Sequence, residues 1–143
     1  MGFSAFLISI TDADVRADRS CGLNNKHVVY MLRVMNGDKQ WIAEKRYSDF
    51  MILDDVLRSK FWYTAVPKLP SKKLFFNFDD EFIKKRKKEL ETYLKEVLQV
   101  ACYSQSDELW QFFTDSRSIV GVPPELEEEN ARHAQVLPTD NEP

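Results

Sequence analysis

The sequence has 143 residues, of which 43% are hydrophobic and 13% aromatic, and this size and composition predict one compact globular domain. Its 20 basic and 23 acidic residues give a net charge of -3, which argues against a nucleic-acid-binding protein because such proteins normally carry a basic excess. Two cysteines are too few for a disulfide framework, and no Cys/His spacing suggests a metal. We therefore expect a cytoplasmic protein without a cofactor or metal, and the polar residues Thr11 and Asp12 exclude a signal peptide or membrane span over the first residues.

The end of the chain differs in composition from the rest. All aromatic residues lie between Phe3 and Phe113, whereas residues 117–143 contain six acidic and two basic residues. A segment without aromatic residues and with excess charge cannot build a core. We predict a folded domain over residues 1–116 and an acidic, disordered tail over residues 117–143, with a short helix through Leu137 as the alternative.

Three strands are predicted in the first third of the chain. Residues 3–10 read as a strand, residues 12–26 as a polar turn or open loop, and residues 27–34 as a second strand. The pair Asn36-Gly37 is typical of a type I′ hairpin, and residues 40–46 return as the third strand. We therefore expect a three-stranded antiparallel sheet.

Helical patterns dominate the remainder. A short helix is predicted to about residue 60 with Ser48 as its N-cap, a long one over residues 81–102, and a closing one over residues 106–113. Between the first two, residues 61–73 contain two prolines three positions apart, which favours an extended polyproline II path. The predicted fold is α+β, with the sheet packed against a helical subdomain that includes this proline-containing loop.

Signatures of catalysis are missing from the sequence. Four glycines exclude the glycine-rich nucleotide-binding loops and the nucleophile elbow of hydrolases. His27 starts a strand and His133 lies in the tail, so neither forms a convincing pair with a nucleophile. We predict that the chain is not an enzyme.

The long helix carries an arginine on its apolar side. With 100° per residue counted from Phe82, Arg86 falls at about 40°, inside the arc that holds Tyr93 and Leu90. A guanidinium among apolar residues is costly unless it meets an anion or hydrogen-bond acceptors. A buried salt bridge, for example to Glu44, a side chain that extends to solvent, and an anion-binding role are all open.

A second arginine and a basic loop lie near in sequence. Arg46 ends the third strand, next to Tyr47 and a helix N-terminus whose backbone amides attract anions. Lys72 and Lys73 follow the prolines, and residues 60–95 hold ten basic and five acidic residues. An exposed cation at a strand end is the alternative for Arg46.

These features together resemble the Phox-homology (PX) domain family of sorting nexins and related trafficking proteins. The resemblance covers nearly all of residues 3–115 and rests on three segments in order: RYSDF at 46–50, PKLPSK at 67–72 and FIKKRKKELETYL at 82–94. Ser71 departs from the pattern, since a proline or glycine often precedes the lysine, and the stretch over residues 74–80 is short.

The resemblance implies a phosphoinositide headgroup, that of phosphatidylinositol 3-phosphate, bound between the sheet and the helices. By position, Arg46 would contact the 3-phosphate, Tyr47 would pack under the inositol, Lys72 would meet the 1-phosphate and Arg86 would bond the 4- and 5-hydroxyls. Lys73 is a possible additional phosphate contact. The implied role is recruitment to endosomal membranes in protein sorting, as a peripheral membrane protein.

Two further hypotheses concern the membrane and protein partners. The apolar cluster Leu74, Phe75 and Phe76 would insert into the bilayer, although these side chains could instead cover the core. The alternative function is a protein-interaction adaptor that uses the Pro67–Pro70 turn or the acidic tail. Residues 125–129 could also fold back on the basic loop and weaken membrane binding.

Overall fold

A computed structural model of the protein describes residues 6–18, 25–72, 78–115 and 119–120. An antiparallel sheet comes first along the chain and helices follow it, which confirms the predicted α+β fold. The strands are β1 (Phe6–Asp18), β2 (Asn25–Asn36), β3 (Lys39–Arg46) and β4 (Ile119–Val120). The helices are α1 (Tyr47–Lys60), α2 (Asp80–Gln99), α3 (Ala101–Ser104) and α4 (Asp107–Thr114).

The strand β1 is longer than its sequence pattern predicts. A β-bulge interrupts the register between Ile10 and Asp12, after which residues 12–18 continue to pair with β2. The prediction of a loop from residue 12 is therefore wrong for this part. Both terminal nitrogens of Arg16 bond the carboxylate of Glu44 on β3 at 2.9 Å, so a polar strand extension is stabilised by a contact far away in sequence.

The hairpin between β2 and β3 turns one residue later than expected. Asn36 pairs with Lys39, so the two loop residues are Gly37 and Asp38. Gly37 has φ +63°, and no other residue in the described part of the chain has a positive φ. A type I′ turn needs positive φ at both loop positions, whereas a single positive φ at the first position fits type II′. The predicted type I′ turn at Asn36-Gly37 is therefore wrong.

The core lies between one face of the sheet and the helices. Trp41 on β3 is buried there, and its indole N–H donates to the carbonyl of Phe113 on α4 at 2.7 Å. Other fully buried members come from every layer: Leu32, Val34, Ala43, Phe50, Leu57, Leu90, Leu94, Val97, Tyr103 and Leu109. Burial of so many large side chains fixes where α1 and α2 stand relative to the end of β3.

Helix α1 begins directly at the end of β3. Its N-cap is Arg46, whose backbone N–H donates to the Asp49 carboxylate at 2.8 Å. Ser48 is therefore in the first turn, and the prediction that it caps the helix is wrong, because Asp49 satisfies the backbone instead. The long predicted helix is also divided, since the β-branched residue Val100 adopts an extended backbone between α2 and α3.

Pairing with the sheet continues beyond residue 116. Ile119 and Val120 of β4 pair with Ala43 and Ile42 of β3, which adds a short fourth strand to the three that were predicted. The proposed domain end near residue 116 stays a prediction, and residues 121–143 lie outside the described residues. None of the helices that the structure describes has both the length and the apolar composition needed to cross a membrane.

Candidate functional site

Three segments meet beside the first turn of α1. They are the N-terminal end of α1, the first half of α2 and the segment over residues 65–72, which we call the proline loop. The proline loop has no regular secondary structure, as its two prolines predict. The predicted site residues Tyr47 and Arg86 lie within this junction.

Arg86 is buried, with 5% of its surface exposed, as its position on the helical wheel predicts. Its Nη2 donates to the carbonyl of Ser71 in the proline loop at 2.7 Å. The guanidinium carbon stands 4.4 Å from the ring centroid of Tyr47 and 5.1 Å from that of Phe82. Its Nε is buried and has no hydrogen-bond partner among the described residues.

The salt bridge suggested between Arg86 and Glu44 is wrong. Glu44 bonds Arg16 instead, and this hydrogen bond lowers the pKa of the Glu44 carboxyl. The suggestion that Arg86 extends to solvent is wrong too, because the side chain is buried. Arg86 therefore meets a backbone carbonyl and two aromatic faces, which leaves its positive charge without a carboxylate in the contacts that the described residues provide.

Tyr47 links α1 to the proline loop. Its hydroxyl donates to the carbonyl of Pro70, and its ring faces the guanidinium of Arg86. Partial burial raises the pKa of the Tyr47 hydroxyl, while the nearby charge of Arg86 opposes that rise. The hydroxyl is thus a stable donor at neutral pH, and the ring is held in one orientation beside Arg86.

Arg46 and Lys72 are on the exposed side of the same junction. The backbone of Arg46 is fixed by Asp49, whereas its side chain is exposed at the positive end of the α1 dipole. Lys72 is exposed and directly follows Ser71, which accepts the bond from Arg86. The structure thus brings together segments that carry all four predicted headgroup residues.

Several predicted contacts fall outside the described residues. These are Lys73, the possible additional phosphate contact, and the cluster Leu74, Phe75 and Phe76, for which membrane insertion is expected.

Sequence reasoning missed several residues that shape this site. Phe82 stacks on Arg86 from one turn earlier, a contact that the i, i+4 spacing could have revealed. Tyr30 is buried on β2, and burial raises the pKa of its hydroxyl to about 12, against the lowering influence of Arg86. The carbonyls of Pro70 and Ser71 had no signal in the sequence, because backbone acceptors look alike at every position.

Other concave surfaces have a different character. A cavity of about 490 Å³ beside the proline loop is lined by residues of both charges, including Lys68, Lys88, Glu89 and Glu96. A smaller one of about 220 Å³ lies between α1 and α4. Within the described ranges, no group of three or more histidine, cysteine or acidic side chains could hold a metal ion.

The family model described as PX domain matches residues 33–116, which is more than half of the chain, and the chain belongs to this family. The match includes β3, α1, the proline loop and α2, and therefore every candidate headgroup residue. The resemblance inferred from the sequence is confirmed. Membership of this family supports a phosphoinositide-binding module of the kind found in trafficking proteins.

Individual relatives support the same assignment. Sorting nexin-11 of Homo sapiens is 30% identical over 126 residues, which cover 85% of this chain and 45% of that protein. A probable serine/threonine-protein kinase of Dictyostelium discoideum is 37% identical over 86 residues, but these are 58% of this chain and only 4% of the kinase. The chain thus spans less than half the length of these curated relatives. The relationship to a kinase concerns a small part of that protein.

A solved structure shares the fold. A designed CISK-PX domain has 29% sequence identity and a TM-score of 0.65, and the alignment covers 75% of this chain and 97% of that domain.

Proposed function

We propose that this PX domain recognises phosphatidylinositol 3-phosphate and recruits the cytoplasmic protein that contains it to endosomal membranes for protein sorting. The observation that carries the proposal is the buried guanidinium of Arg86, which has no carboxylate partner among the described residues and keeps Nε without a hydrogen bond. A buried cation with unused donors is stabilised by a ligand that brings acceptors.

The two arginines suit different parts of the headgroup. Arg46 is exposed at a helix N-terminus, where an incoming phosphate can form charge-assisted, bidentate bonds. Arg86 is enclosed by Tyr47 and Phe82, which favours small hydroxyl groups over bulky, strongly hydrated phosphates. This division supports a lipid phosphorylated at position 3 with free hydroxyls at positions 4 and 5. Lys72 would then supply a point charge for the 1-phosphate.

Liposome co-sedimentation across the phosphoinositide series tests this proposal. We expect binding to vesicles with phosphatidylinositol 3-phosphate and much weaker binding to vesicles with the 4-phosphate or the 4,5-bisphosphate. Arg46→Ala should abolish binding to vesicles with phosphatidylinositol 3-phosphate, whereas Arg33→Ala should not, although both remove one exposed positive charge. Arg33 is a fair control because its guanidinium bonds only the nearby Gln40 side chain, at 2.9 Å, among the contacts described. Equal binding to all anionic vesicles, or wild-type binding by Arg46→Ala, would contradict the proposal.

A second candidate function is a protein-interaction adaptor. One observation favours it: Trp62 and Tyr63, just before the proline loop, are exposed by 81% and 65%. Against it, Pro67 and Pro70 are half-buried, and their carbonyls accept bonds from Arg58 and Tyr47. These contacts favour a proline loop that serves the domain itself. Absence of lipid binding together with capture of a protein partner, lost on Trp62→Ala, would favour the adaptor.

Membrane insertion by Leu74, Phe75 and Phe76 remains part of the proposal. Burial of each large side chain could contribute about 1.5 to 3 kcal/mol, and this contribution should persist at high salt, unlike that of the lysines. Changing Phe75 and Phe76 to serine should therefore release the protein from liposomes without changing its affinity for a soluble headgroup. A parallel loss of headgroup binding or of thermal stability would mean that these rings are structural.

A further inference from the structure

The proline loop depends on side chains from the helices for its position. Residues 65–72 belong to no helix or strand, so contacts from other elements fix their path. The carbonyls of Pro70 and Ser71 accept bonds from Tyr47 and Arg86, both of which are candidate headgroup contacts. The carbonyl of Pro67 accepts a bond from Nη2 of Arg58 at 3.2 Å. Of the three side chains that donate to these carbonyls, Arg58 is the one that is not a candidate headgroup contact.

Arg58 is itself held in place by a buried carboxylate. Its Nε donates to Oδ2 of Asp54, one turn earlier on α1, at 2.8 Å. The other oxygen of Asp54 accepts a bond from the Tyr93 hydroxyl of α2, also at 2.8 Å. Asp54 is only 8% exposed, although the side chain of Arg58 is 47% exposed. The carboxylate thus joins α1 to α2 and orients the guanidinium towards Pro67.

The geometry requires an arginine at position 58. The guanidinium uses one nitrogen for Asp54 and another for Pro67, and its planar fork keeps these two donors in a fixed relation. A lysine has a single nitrogen at the end of a flexible chain and would have to satisfy both acceptors from one point. The hydrogen bond to Asp54 also raises the pKa of Arg58, so the cation remains charged at any ordinary pH.

We propose that Asp54 and Arg58 are positioning residues that hold the proline loop so that Lys72 meets the headgroup. The inference rests on the proposed lipid function, because it assigns these residues a role in that same site. Neither residue contacts the ligand. Arg58 acts on the start of the loop, and the backbone between Pro67 and Lys72 transmits its effect.

Headgroup binding of Arg58→Ala, measured by calorimetry with a short-chain phosphatidylinositol 3-phosphate, tests the role in recognition. Loss of one loop anchor should weaken the affinity by roughly three- to tenfold. The same change made in a Lys72→Ala background should have little further effect, because the residue through which Arg58 acts is then missing. Equal losses in both backgrounds would overturn the inference. Arg58→Lys should not restore the affinity, and full restoration would refute the argument from the fork.

Lys60→Ala is the matched control. Lys60 lies on the same helix and forms an exposed pair with Glu108 at 2.9 Å, away from the loop. We expect wild-type affinity from this variant, and an affinity loss equal to that of Arg58→Ala would mean that any charge removed from this part of α1 has the same effect.

Limited trypsin digestion without lipid separates this inference from the function on which it rests. Arg58→Ala and Asp54→Asn should both be cleaved several times faster after Lys68 and Lys72 than the wild-type protein or Lys60→Ala. Unchanged cleavage would overturn the proposed anchoring whatever the lipid result. Faster cleavage in a protein that binds no phosphoinositide would support the anchoring and reject its role in lipid recognition, along with the proposed function.

Discussion

Replacing Arg86 by methionine should separate its role in the fold from its role in binding. The change removes a charge-assisted bond to the Ser71 carbonyl, a loss of about 1.5 to 3 kcal/mol. It also removes the stacking of the cation on Tyr47 and Phe82, a loss of about 0.5 to 2 kcal/mol. The change also removes the buried Nε, which has no hydrogen-bond partner among the described residues. Removing this unpaired donor should restore about 1 to 3 kcal/mol of the free energy of unfolding.

These terms oppose one another, and methionine fills much of the space of the arginine stem. The free energy of unfolding should therefore change by an amount between a gain of about 1 and a loss of about 4 kcal/mol. Headgroup affinity should fall about tenfold or more, because the donors that would meet the inositol hydroxyls are gone. Both variants leave the Ser71 carbonyl unpaired, but Arg86→Ala also leaves a cavity beside the rings and should therefore unfold more easily than Arg86→Met.

Urea unfolding and calorimetry with a short-chain phosphatidylinositol 3-phosphate measure the two effects on the same preparation. Lys85→Met is the matched control, because Lys85 is an exposed neighbour on α2 that carries the same charge. Wild-type affinity in Arg86→Met would show that the guanidinium serves the fold alone. A loss of stability well above 4 kcal/mol would instead show that we have undervalued its contacts to the loop.

Three further predictions concern single interactions. Tyr47→Phe removes the bond to the Pro70 carbonyl and should lower headgroup affinity severalfold in calorimetry while its circular dichroism spectrum stays that of the wild type. The lowered pKa of Glu44 means that its pairing with Arg16 stabilises the protein at neutral pH and that this contribution is lost as pH falls through the folded-state pKa. Urea unfolding of Glu44→Gln should accordingly show a deficit of about 0.2 to 1 kcal/mol near neutral pH that vanishes in acid, and a deficit independent of pH would contradict this. Deleting residues 121–143, which keeps Val120 of β4, should strengthen liposome binding at low salt if the acidic tail covers the basic loop, and unchanged binding would reject that hypothesis.

Features with a local signal were predictable from the sequence. The second and third strands and α1 follow from alternating or helical spacing within a single segment, and the buried position of Arg86 follows from the angle between helix positions. The same logic located Arg46 at a helix N-terminus, because a strand end and a helical pattern meet there. In each case the residues that decide the outcome are neighbours in sequence.

Features that depend on distant contacts were not predictable. The extension of β1 is stabilised by the hydrogen bond from Arg16 to Glu44, which lies 28 positions away. The polar composition of this part of β1, taken alone, indicated a loop. The partner of Arg86 is a backbone carbonyl 15 positions earlier, in a segment that only tertiary packing brings close. A glutamate was the natural candidate because a charge is visible in a sequence, whereas a backbone acceptor is not.

The arrangement around Arg86 joins the fold and the candidate site through one side chain. Its Nη2 bond to Ser71 keeps the proline loop against α2, and its stacking on Tyr47 keeps α1 beside both. Its Nε is left without a hydrogen-bond partner among the described residues. Loss of headgroup binding in Arg86→Ala would by itself be ambiguous, because loop position and ligand contact change together. Loss of the distant anchor at Arg58 resolves this, because Arg58→Ala releases the loop while the donors of Arg86 stay in place. A larger loss of affinity in Arg86→Met than in Arg58→Ala would then be due to the ligand contact of Arg86.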